Sequence, residues 1–74
     1  MKKIRFTGWK KGVNKIEFIQ LLHHNAGISL KEAKQIKDRI VDGEIVEINA
    51  KKEAAEYIIN QSSNCGFQGE MIEE

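Results

Sequence analysis

Two adjacent histidines (His23 and His24), one cysteine (Cys65) and a serine behind a glycine (Ser29) are the residues of this chain whose types could do chemistry. Neighbours on a helix project about 100° apart, so His23 and His24 cannot share a metal ion. His24 with Glu17, or His23 with Gln20, makes an ordinary surface pair. A serine becomes a nucleophile only where a histidine and an acid converge on it, and Ser29 stands where a helix needs its cap. A catalytic thiol needs a lowered pKa and a nearby base. No sequence neighbour of Cys65 supplies one, and the residue reads as a half-buried filler beside Gly66. The glycines follow no phosphate-binding spacing. The residues therefore describe a protein that is not an enzyme and uses no metal and no cofactor.

The elements around these residues follow from periodicity and caps. The segment Lys3-Ile4-Arg5-Phe6-Thr7 alternates polar and apolar residues, as a strand with one buried face does. Gly8 and Gly12 bracket a loop holding Trp9, Lys10 and Lys11. Asn14 caps a first helix to about Ala26, with Glu17 three residues on. Phe18, Leu21 and Leu22 share its inward face, which leaves Ile16 and Ile19 at the edge or outside. Gly27 ends this helix. Ser29 and Glu32 stand at the capping-box spacing for a second helix, Leu30 to Val41, with Leu30, Ala33, Ile36 or Lys37, and Ile40 recurring along it. Glu44 to Ile48 is a short β-branched strand. Asn49 caps a third helix from Ala50 to about Ser63, with Ala54, Ala55, Ile58, Ile59 and Ser62 inward. Gly66 closes it, and Phe67 to Ile72 is the last strand, with Phe67, Gly69 and Met71 on one face.

The predicted order is β-α-α-β-α-β, an α+β domain. The second and last strands join through a crossover helix and run parallel. The first strand lies between them, antiparallel to both, and all three helices cover one face of this three-stranded antiparallel sheet. Seventy-four residues make one domain. No apolar run approaches the roughly 20 residues of a membrane helix. Charge interrupts the first apolar stretch, and a single cysteine makes no internal disulfide. Both point to the cytoplasm.

Net charge is only +1, but residues 1–39 carry ten Lys/Arg against three acids, and residues 40–74 carry two against eight. The layout offers a reason. A central strand bearing Lys2, Lys3 and Arg5 is flanked by strands bearing Glu44, Glu47, Glu70 and Glu73, so opposite charges face each other across the sheet. Gly8 and Gly69 lie in paired strands, and Trp9 is expected to cover that glycine gap on the helix-free face.

The wording from Asn14-Lys15-Ile16 through Gly27-Ile28-Ser29-Leu30-Lys31-Glu32-Ala33-Lys34 resembles the C-terminal domain of the bacterial ribosomal stalk protein, without gaps over about 21 residues. The family's element order is the same. The Clp-protease adaptor shares the general fold, but its acidic Asn-Asp-Asp segment is not found here. The resemblance implies a partner-binding surface on the first two helices, which in the family meets translational GTPases. The matching positions are Ile16, Ile19, Gln20, His23 and Lys34. Gln20 and His23 replace a lysine and an arginine of the family, and neither reproduces arginine's bidentate fork. The chain begins almost at the first strand, without the family's dimerisation domain and hinge, so service as a tethered stalk is not expected.

The leading expectation is thus a cytoplasmic protein-interaction module whose partner is a translational GTPase or ribosome-associated factor. An immunity or antitoxin-like inhibitor is an alternative from a different class. Weak nucleic-acid binding through Lys2, Lys3, Arg5, Lys10 and Lys11 is a third, and ranks below a structural role for Trp9. A homodimer through the open sheet or its edges is a further arrangement.

Overall fold

The computed structural model describes residues 1–72. The elements are β1 (Lys2–Trp9), α1 (Lys15–Ala26), α2 (Leu30–Val41), β2 (Val46–Ala50), α3 (Lys52–Cys65) and β3 (Phe67–Ile72). The sheet order is β2-β1-β3, with β1 antiparallel to both neighbours. The three helices cover one face, and α1 packs against both α2 and α3, at the centre of the helix layer. No helix of the described residues is long and apolar enough to cross a membrane.

Three phenylalanines join the two layers. Phe18 of α1 stacks on Phe67 of β3, ring centroids 3.9 Å apart and 15° from parallel, and meets Phe6 of β1 edge-on at 5.3 Å and 88°. All three are fully buried, with Ile4, Leu22, Ile40 and Ile58 around them. Aromatic pairs in stacked and edge-to-face geometries add to the gain from burial alone, so this trio holds α1 against the sheet.

The helix corner forms as its residues dictate. Asn14 Oδ1 accepts from the Glu17 N–H at 3.1 Å, and its Nδ2 donates to Glu17 Oε2 at 2.9 Å. Gly27 takes the left-handed conformation (φ 67°) that ends α1, and Ser29 Oγ then accepts from the Glu32 N–H at 3.1 Å. These bonds satisfy donors that the first turn of a helix leaves open.

Boundaries differ from expectation where tertiary bonds decide them. The second strand starts at Val46, not Glu44, because the Glu44 N–H donates to the Arg39 carbonyl at 3.0 Å as part of the wrap that ends α2. The strand then runs on to Ala50, which pairs with Lys2 and continues the inward alternation of Val46 and Ile48. Asn49 is therefore a strand residue opposite Lys3 and not a helix cap. Lys51 holds the N-cap position of α3 without any side-chain cap bond. At the other end, β1 extends to Trp9 because β3 supplies partners: Gly8 faces Gln68 and Trp9 faces Phe67 beyond a bulge at Thr7.

The glycine gap is covered differently from the sequence expectation. Gly69 pairs with Phe6, and a Cβ added at Gly69 would stand 3.0 Å from the Phe6 ring, on the helix side of the sheet. Phe6 covers Gly69. The bulge shifts the alternation, so Trp9 is in register with the core residue Phe67 and sits, 40% exposed, at the rim. The charge ladder forms through Arg5, which reaches Glu47 at 2.9 Å and Glu70 at 3.8 Å, with Lys3 3.9 Å from Glu47. Lys2 faces Ala50 instead, Glu44 pairs with Arg39 at 3.3 Å, and Glu73 lies outside the described residues.

Candidate functional site

The outward surface of α1 follows from which of its residues the core takes. Phe18, Leu21 and Leu22 are buried, so the opposite face carries Ile16, Gln20 and His23. Ile16 is 73% exposed. Ile19 is half-buried and packs on the core margin. The four residues are spaced as one helical face.

The second helix adds a charged border. The Asp38 carboxyl is held below the usual carboxylate range first by a hydrogen bond from Lys37, and then by the positive charges of Lys37, Lys34 and Lys15. Lys15 opens α1, whereas Lys34 and Asp38 lie one turn apart on α2. The Lys15 charge acting on Asp38 puts the start of α1 near the later turns of α2, and Ile19, one turn after Lys15, lies on that side. The fold thus adds a cation, Lys15, to a surface for which the sequence reading supplied only Lys34. Leu30, one turn ahead of Lys34, is another addition. It was expected among the recurring apolar positions of α2 but is 53% exposed. An apolar residue that periodicity would bury and the fold leaves outside becomes legible only once the helices are docked.

His23 is fixed by the corner. Its Nδ1 lies 2.7 Å from the main-chain oxygen of Ile28. A carbonyl can only accept, so the ring donates, and this bond takes the place of the expected pair with Gln20. Its ring stands 5.1 Å from that of His24, tilted by 58°. Gln20 faces away from α2 and lines a groove of about 260 Å³ against α3, with Glu17, His24, Tyr57 and Gln61. Tyr57, 50% exposed, is a groove residue the sequence reading did not single out. Ile16, Ile19, His23 and Lys34 therefore border the α1–α2 side, while Gln20 spans the ridge towards α3.

The chemistry-bearing residues have structural positions. Cys65 is buried at the base of the α1–α3 groove, and desolvation, followed by the Glu17 charge, pushes its thiol up. A protonated thiol is a poor nucleophile. Ser29 Oγ is occupied by its cap bond. Among the described residues, no three His, Cys, Asp or Glu side chains are grouped to hold a metal ion. Two of the five cations considered for nucleic acid, Lys3 and Arg5, are committed to carboxylates on the helix-free face.

Comparison of this chain with known protein families, with curated proteins and with solved structures finds no match.

Proposed function

We propose that this chain is a non-enzymatic protein-interaction module that binds its partner through α1 and α2, with Ile16, Ile19, Gln20, His23 and Lys34 at the contact. The carrying observation is Ile16, a large apolar side chain left 73% exposed on the helix that forms the centre of the roof. Lys15 and Ile19 flank it on α1, and α2 adds the exposed Leu30 and Lys34 one turn apart. An apolar ridge with a basic border suits a partner that offers an apolar pocket among acidic residues. The likeness of residues 14–34 to the factor-binding domain of the ribosomal stalk protein supports a translational GTPase, or another ribosome-associated factor, in the cytoplasm as that partner.

The test is direct binding of purified translational GTPases from the native cell, measured by titration calorimetry. Ile16→Asp removes the apolar contact from a position that contributes little to the core. It is a cleaner probe than Ile19→Asp, which also disturbs packing. Binding by the wild type that is lost in Ile16→Asp, with circular dichroism unchanged, supports the reading. Equal affinity for both chains refutes it.

A further inference from the structure

We infer that this chain self-associates through the outer edge of β2 and the stripe of α2 beside it, two copies joining into one six-stranded sheet across a two-fold axis. β2 is an edge strand, so one row of its backbone donors and acceptors has no neighbour among the described residues. Between this edge and α2 runs a groove of about 420 Å³ whose apolar lining is Ile28, Ile36, Val46 and Ile48. Ile45, just before the strand, is 61% exposed. The edge carries no proline, and its one mid-strand charge, Glu47, is drawn to Arg5 and Lys3. It therefore lacks the devices that usually keep strand edges apart.

The order of charges selects a second copy as the occupant. In an antiparallel pair centred on Ile48, Val46 stands opposite the partner's Ala50, and Glu47 opposite the partner's Asn49. Within the paired strands no like charges are opposed. The same axis, normal to the sheet, sets the two α2 helices antiparallel on one side. Glu32, Gln35, Ile36 and Arg39 line the groove at helical spacing. Glu32 then faces the partner's Arg39, and Ile36 meets the partner's Ile36. One operation thus fits both the strand pairing and the charge order of α2, as a self-complementary two-fold interface requires. The β3 edge differs: its only charge from Phe67 to Ile72 is Glu70, which Arg5 holds within the same copy, and no residue of the strand offers a base to a second copy. Pairing through β2 leaves the α1 ridge open on both copies, so the dimer presents two binding surfaces.

Sedimentation equilibrium tests this. The wild-type chain is expected to reach twice its 8.5 kDa mass reversibly as concentration rises. Glu32→Arg and Arg39→Glu are each expected to weaken the dimer by about tenfold or more through like-charge contact, and the double variant to restore it. Ile45→Lys should abolish it, with circular dichroism unchanged in every variant. A monomer at concentrations up to about 1 mM, the weak end of measurable association, overturns the inference. So does a double variant as weak as the singles. A dimer that survives Ile45→Lys but is lost on Gln68→Lys assigns the interface to β3 and overturns it equally.

Discussion

The ring of Phe18 lies flat against that of Phe67, 3.9 Å between centroids. Through this contact the helix that carries the candidate binding ridge is seated on the last strand of the sheet. Phe18→Ala should cost about 3–5 kcal/mol, against a total stability of about 4–11 kcal/mol for a domain of this size. Urea denaturation should show a chain that is marginally folded or unfolded, whereas Phe18→Leu should remain folded with a lower midpoint.

The corner between α1 and α2 depends on His23. Its Nδ1 bond to the Ile28 oxygen ties the last turn of α1 to the residue just past the left-handed Gly27. His23→Ala should cost about 0.5–1.5 kcal/mol. The loss should appear as a lower urea midpoint with an unchanged slope, and as faster amide exchange at the start of α2.

Gly66 is constrained twice. Its φ of 93° suits glycine, and an added Cβ would meet Val13 Cγ1 at 2.7 Å. The loop before α1 is stitched at this point, with the Lys10 N–H donating to the Gly66 oxygen at 2.7 Å and the Asn14 N–H to the Cys65 oxygen at 2.9 Å. Gly12, with φ 86°, has open space where its Cβ would go. Gly12→Ala should therefore cost only the backbone strain, about 1–2 kcal/mol, and Gly66→Ala distinctly more. Comparison of the two thermal midpoints isolates the Val13 clash.

Ser62 is buried in α3, and its hydroxyl has no hydrogen-bond partner among the described residues. A buried polar group left unpaired costs about 1–3 kcal/mol. Ser62→Ala removes that cost with almost no change in volume, so its urea midpoint should equal or exceed that of the wild type.

The raised Cys65 thiol predicts alkaline sensitivity. The native state keeps this proton where the unfolded chain, titrating at about 8.5, releases it. By linkage, stability is unaffected below the unfolded value and falls as pH rises through and above it. Cys65→Ala should abolish that decline in a series of urea midpoints taken from neutral to alkaline pH.

Local chemistry made much of the architecture legible. The capping pairs Asn14 with Glu17 and Ser29 with Glu32 fixed the starts of both helices, because a cap bond spans only three residues. The central position of β1 followed from the crossover rule and the opposite charges of Arg5, Glu47 and Glu70. The bounds of β2 were not legible. Glu44 and Ile45 look like strand residues, but the N–H of Glu44 is taken by the end of α2. The same holds at the candidate site. Ile16 could be placed outside by counting the apolar groups of α1, whereas the exposure of Leu30 and the approach of Lys15 to α2 follow only from the docking of the helices.

The amino-acid order by itself determined the helices, the caps of the first two, the sheet order and the surplus of apolar groups on the first helix, since each depends on residues within a few positions or on a simple periodicity. The tertiary structure decided which of those groups stay in water, which carbonyl His23 answers, and that Phe6 and not Trp9 lies over Gly69. Those outcomes depend on contacts between residues far apart in the chain, and no local pattern encodes the distance between two elements before they pack.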